Sequence, residues 1–328
     1  MTVSTSLMTY DDALRQFLAT RGTYGGGLSN HGPMATEALD HMGASEWVDP
    51  FVTAYAPRLE PRTPPPERGG DWRRLLDEFL PDLVGEFLPD LVGSAAAGAG
   101  HCLLRTAHAV RGIERAEADG HVPAVRIDEL RTALVRWRAD TGLPTPGALT
   151  GDRSIDDWSA ALAPLATFEP VPGLLTTSLS MATEQPGFVD VVASLRRSER
   201  PHDTLDRLAE RALDGYLANE DGLARFTLLH GVTVPTMARV LLDHLDEAGQ
   251  RQLEAAVAGF VAAAAVAFDR RPGAPTPLPA AGPDLAHRAG ASLDDHTIKF
   301  TDACLGLAER TGSDRPLRAA ELQIRLTT

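Results

Sequence analysis

Apolar residues recur three and four positions apart through most of the chain. The clearest stretches run from Leu7 to Leu18, Trp72 to Val92, Leu103 to Ile113, Ile127 to Trp137, Leu205 to Leu217, Val234 to Leu245 and Leu253 to Phe268. This spacing draws one apolar stripe along a helix, so each stretch predicts an α-helix with a face to bury. Alternating runs rich in Val, Ile and aromatic residues are scarce, and the pattern predicts an all-α protein. We read residues 1–328 as a single large helical domain. Two Pro-rich stretches break the helical period, and connecting loops are expected near 57–70 and 270–283. The octapeptide EFLPDLVG occurs twice in succession, at Glu78 to Gly85 and Glu86 to Gly93. Two copies are too few for a solenoid, so we read a local duplication whose Pro81 and Pro89 interrupt any helix there.

The chain has 328 residues, 43% of them hydrophobic, enough for a sizeable core. Its 45 acidic residues outnumber 31 basic ones, giving a formal charge of −14 with no basic run. Nucleic acid and anionic membranes are therefore poor candidate partners. The longest apolar stretch, Ala255 to Phe268, is shorter than the ~20 residues a spanning helix needs, so a buried Ala-rich helix is expected. The start, MTVSTSLMTYDDALRQ, lacks the basic and apolar segments of a signal peptide. Cys102 and Cys304 stand far apart, outside any zinc-ribbon or disulfide pattern. A reducing, cytoplasmic setting is expected.

Lys299 is the only lysine; every other basic side chain is arginine. An amine can lose its proton and react, whereas a guanidinium effectively cannot. Lys299 lies three residues after His296 in a segment, LDDHTIKFTDAC, that reads as a buried helix capped by Asp294 or Asp295. That spacing puts imidazole and amine on one face. A buried amine has a depressed pKa, and the neutral form can act as a base, form a Schiff base, or take up carbon dioxide as a carbamate. With neutral imidazoles, a carbamate oxygen would suit iron or zinc best.

Three further segments hold histidines in unusual settings. In Tyr24-Gly-Gly-Gly-Leu-Ser-Asn-His31-Gly-Pro-Met, the glycines would let the backbone pass close to a neighbour, and Pro33 would start a helix just after His31. In Gly100-His-Cys-Leu-Leu-Arg-Thr-Ala-His-Ala, His101, Arg105 and His108 share one helix face, the two histidines about 10 Å apart along the axis. In Leu229-His-Gly-Val-Thr-Val-Pro235, Gly231 reads as a helix end and Pro235 as the next start, which would make His230 a C-terminal residue meeting the helix dipole. Each taken alone also fits a structural histidine: a capping turn at His31, core packing at His101 and His108. No nucleotide-binding glycine fingerprint, Walker A sequence, H-E-x-x-H or G-x-S-x-G occurs, which leaves no evident flavin site.

The segments Asn30-His-Gly-Pro-Met34, Gly100 to Ala109, Leu229-His-Gly-Val-Thr233 and His296-Thr-Ile-Lys-Phe300 together resemble, in their order and spacing, the questin oxidase-like proteins in bacterial form. The resemblance implies an oxygenase of aromatic polyketide metabolism. Such an enzyme opens a quinone ring of a hydroxyanthraquinone by Baeyer–Villiger-type carbon–carbon cleavage, with dioxygen as co-substrate. It implies non-haem Fe(II) held by His31, His101, His230 and His296, with Lys299 as a carbamate. His108 or Tyr24 is then expected to deprotonate a phenol of the substrate, and Asn30 and Arg105 to contact it. Two other classes stay open: a metal-dependent hydrolase with a carboxylated lysine, and a non-catalytic helical binding protein.

Overall fold

The computed structural model describes residues 7–25, 27–81, 100–139, 143, 146–171, 175–269 and 278–328. The chain begins with α1 (Tyr10–Leu18), a hairpin of β1 (Thr23–Tyr24) and β2 (Leu28–Ser29), α2 (Gly32–His41), α3 (Val48–Tyr55) and α4 (Trp72–Pro81). It continues with α5 (His101–Ala118), α6 (Ala124–Arg138), α7 (Ile155–Leu162), α8 (Leu175–Thr183) and α9 (Phe188–Ala193). The last part holds α10 (Pro201–Ala218), α11 (Gly222–Leu242), α12 (Glu247–Phe268), α13 (Leu285–Ala291), α14 (Asp295–Thr311) and α15 (Arg315–Thr327). The protein is all-α, with that antiparallel hairpin as the one sheet among the described residues. Most of the octapeptide repeat, and residues 270–277 of the second Pro-rich stretch, lie outside them.

Composition places these helices. The apolar residues of α12 go all the way round, from Leu253 to Phe268, and it sits in the core against α8, α10 and α11. By length and hydropathy α12 could cross a membrane, but 83% of its apolar window is buried inside the fold, which is how a core helix uses such a sequence. Side chains that accept from the first free N–H groups start the helices: Asp221 from Ala224 at 2.8 Å, Asp246 from Gly249 at 2.8 Å and Asp294 from Thr297 at 2.7 Å. The cap of α14 is thus Asp294, which frees Asp295 for other work.

The expected break after His230 does not occur. α11 runs unbroken from Gly222 to Leu242 with Pro235 inside it. Proline lacks the N–H that would bond the Gly231 carbonyl, a local loss the burial of both helix faces outweighs. Gly231 has a packing role: a Cβ there would lie 2.9 Å from that of Ala212, so its absence lets α10 and α11 lie close. The glycines before His31 also differ from expectation. Gly25 (φ +54) and Gly27 (φ +130) turn the hairpin, and their Cβ positions meet only Leu28 or open space.

Candidate metal centre

Four histidines, three from helices and one from the turn before α2, form a closed ring of imidazoles. Ring centroids lie 4.5 Å apart from His31 to His101, 5.0 Å from His101 to His230, 5.3 Å from His230 to His296, and 4.7 Å from His296 back to His31. His31 is the residue before α2; its N–H donates to the Tyr55 hydroxyl at 2.8 Å, which fixes the turn that delivers it. His101 opens α5, and His230 stands in the middle of α11, where that helix crosses α5 and α14. His296 and Lys299 lie in the first turns of α14.

Two bonds decide which ring nitrogens face inward. The Asp295 carboxylate accepts from His31 Nδ1, so the lone pair of His31 is on Nε2. His230 Nδ1 donates to the Phe226 carbonyl at 2.8 Å, which leaves Nε2 basic, 3.3 Å from His101 Nε2. The same Asp295 carboxylate lies 3.1 Å from His296 Nδ1 and 4.0 Å from Lys299 Nζ. His31 Nε2, His296 Nε2 and Lys299 Nζ are buried and have no hydrogen-bond partner. An unsatisfied buried polar atom costs roughly 1–3 kcal/mol, so a cluster of three needs a reason. A cation would supply one: His31, His101 and His296 each offer a ligand atom within 4.8 Å of the others, and His230 Nε2 lies 3.3 Å from His101 Nε2. Imidazole nitrogens with an anionic oxygen are a donor set for iron, zinc or another transition ion.

The electrostatics keep the set ready. Burial, with help from the Lys299 charge, pushes His230 down to about 3 and lowers His31. Burial also takes His296 well below its usual value, so these rings are neutral at neutral pH, as metal binding requires. Burial pulls the Lys299 amine down to about 8, against the pull of Asp295 and Asp294. Burial alone would raise Asp295, but His296, His31 and Lys299 hold its carboxyl well below the carboxylate range.

Other expected site residues are placed differently. His108, two turns beyond His101, gives its Nδ1 to Glu37 Oε2 at 2.6 Å within a buried network. In that network Arg111 bridges Glu37 at 2.5 Å and Asp302 at 2.7 Å, and His41 bonds Asp302 at 2.7 Å. Tyr24, on the hairpin, sets its ring edge-on to Tyr55 at 6.3 Å. Neither His108 nor Tyr24 is among the residues that line the two cavities adjoining Arg105. Asn30 is used up by the fold: Nδ2 donates to Thr20 Oγ1 at 3.1 Å and the Arg21 carbonyl at 3.3 Å, and Oδ1 accepts the Gly32 N–H at 3.0 Å. Arg105 is held by Glu129 through two bonds of 2.5 and 2.8 Å, yet still faces the cavities. Sequence reasoning missed Asp295 and Phe226 as orienting groups. The Asp-His pair at 295–296 was visible, but so were the same pairs at 40–41 and 243–244.

Fold and site together define a helical protein that clusters four histidines and one lysine, with His31, His230 and Lys299 buried and His101 and His296 partly so. No family model matches the chain, and no curated protein or solved structure matches it.

Proposed function

We propose that the chain is a non-haem iron-dependent oxygenase that resembles the questin oxidase-like proteins. Its reaction would be oxidative carbon–carbon cleavage of a hydroxyanthraquinone or related aromatic polyketide. The observation that carries this reading is the trio of buried nitrogens without a hydrogen-bond partner, His31 Nε2, His296 Nε2 and Lys299 Nζ, beside the close His101–His230 pair. In this reading the four histidines hold Fe(II), and Lys299, as a carbamate, adds an anionic oxygen. Bound Fe(II) would supply the electrons that activate dioxygen toward a closed-shell organic substrate.

The chain's own residues orient and shield the centre. Asp295 and the Phe226 carbonyl fix the tautomers of His31 and His230. The Phe226 ring packs on His230 and His296, at 5.2 and 4.6 Å between centroids, and walls that side with apolar surface.

Metal content by plasma mass spectrometry, after chelator-free purification or anaerobic loading with Fe(II), tests the ligand set. Stoichiometric iron and oxygen uptake dependent on a hydroxyanthraquinone are expected, and both should vanish in His296→Ala. Retained iron with full turnover in that variant would overturn the assignment. Zinc, with hydrolysis and no oxygen uptake, would favour a metal-dependent hydrolase.

A further inference from the structure

The order of the histidines around the ring is also the order in which the elements that carry them pack. α2 packs on α5 and α14, and α11 packs on the same two helices, so α5 and α14 face each other across the ring without packing extensively on one another. His101 and His296 stand on this diagonal. Their separation therefore depends on how far apart α5 and α14 are held.

One guanidinium crosses that diagonal. Arg111 of α5 donates to Asp302 Oδ2 of α14 at 2.7 Å, and to Glu37 of α2 through Nε at 3.1 Å and a terminal nitrogen at 2.5 Å. All three helices begin at the ring: Glu37 lies six residues after His31, Arg111 ten after His101 and Asp302 six after His296. At 1.5 Å per residue the bridge sits roughly 9–15 Å from the histidines, on the side toward which the helices run. Glu37 and Asp302 are 0% and 3% exposed, and His108 and His41 take a further bond from each, at 2.6 and 2.7 Å. Desolvation offsets most of the attraction in such a buried ion pair, so a gain in net stability does not account for it. Geometry does: the planar fork of an arginine meets two carboxylates at fixed angles.

We propose that Arg111 is a positioning residue of the metal centre. By tying α5 to α2 and α14 it sets the separation of His31, His101 and His296, and through them the fit of the ion. This role rests on the metal reading of the histidine ring, and adds to it a residue whose own bonds lie with Glu37 and Asp302.

The test uses Co(II), whose visible absorption reports the geometry of its ligands, titrated into the full-length, metal-free protein. Wild type should bind one equivalent. Arg111→Lys keeps the charge but replaces the fork with a point charge, and should bind Co(II) at least about tenfold more weakly and with altered absorption bands. Val192→Ala truncates a buried side chain on α9, which packs on α7, α8 and α12; it should lower the unfolding midpoint and leave affinity and bands unchanged. Wild-type affinity and bands in Arg111→Lys, or the same changes in Val192→Ala, would overturn the proposal. If Arg111→Lys does not fold, hydrogen exchange of the wild type decides. Co(II) should slow the amides around Glu37, Arg111 and Asp302 together with those beside the histidines, and more than those of α9; protection confined to the histidine-bearing turns would overturn the proposal. A wild-type protein that takes up no Co(II) would sink the metal reading and the positioning role with it, whereas uptake that Arg111→Lys leaves unaltered would sink the positioning role alone.

Discussion

His101 and His230, 129 residues apart in the chain, bring their Nε2 atoms to 3.3 Å of each other at the crossing of α5 and α11. Two neutral imidazoles can share one proton at that distance, or both can turn their lone pairs to a common cation. The buried nitrogens of His31, His296 and Lys299 that lack a hydrogen-bond partner favour the second use.

Asp295 acts through His31. Replacing it with asparagine keeps the shape but removes the charge that holds Nδ1–H, so the wrong tautomer becomes accessible. Asp295→Asn is expected to weaken metal binding by about 10–100-fold, the usual cost of losing an orienting partner. Competition with a metal-sensitive dye measures this without any turnover, and unchanged affinity would deny Asp295 that part.

Lys299 carries the carbamate expectation. Incubation with ¹³C-bicarbonate should give the wild-type protein a carbamate resonance that Lys299→Arg lacks, since arginine retains charge but cannot be carboxylated. Metal content and oxygen uptake should fall in the same variant, and acetate should restore part of both in Lys299→Ala. Full activity in Lys299→Arg would exclude the carbamate.

Glu37 is met by His108, Arg111 and Arg115 from α5 and, through its charge, by Tyr10 from α1. Burial alone would raise its carboxyl, but Arg111 and His108 bring it down to about 2. A depressed carboxylate contributes stability that is complete above the unfolded value, about 4.3, and is lost as pH falls toward the folded one. Urea midpoints of metal-free wild type should therefore drop through this window more steeply than those of Glu37→Gln. The neutral histidines of the ring add an acid loss that starts nearer pH 6.5 in both proteins, whereas His108 loses its Glu37 partner in the variant, so the comparison is read below pH 4.3, in the carboxylate range. Parallel curves below pH 4 would contradict the network's electrostatic role.

Gly32 follows His31 and packs on Phe17: a Cβ would fall 2.4 Å from the ring. Gly32→Ala must displace a fully buried aromatic or shift the turn that carries His31. A loss of about 1–3 kcal/mol is expected from overpacking of this kind, read from denaturant unfolding. Reduced metal affinity should accompany it if the turn moves, whereas an unaltered unfolding midpoint would show that Phe17 yields freely.

Much of the helical frame was legible because a 3.6-residue period is a local property. The stretches ending at Leu18, Trp137, Leu217 and Phe268 are helices, and His296 and Lys299 share a face because three residues make nearly one turn. Local signals misled where packing overrode them. Gly231 and Pro235 read as a break, yet burial on both sides carries α11 through them, turning His230 from a helix end into a central residue. Seven residues put His101 and His108 on one face, but α5 packs on α2 and α11 at once, so one histidine meets the imidazole ring and the other meets Glu37.

The sequence by itself determined the helical class, the lone lysine and the histidines worth watching, since these depend on residue type and on spacing within one helix. Only the tertiary structure decided that Asp295 serves His31 rather than the helix cap, that His108 belongs to an ion-pair network, and that Arg111 of that network ties α5 to α2 and α14. Those relationships join residues tens to hundreds of positions apart, and no local period encodes which faces of separate helices will meet.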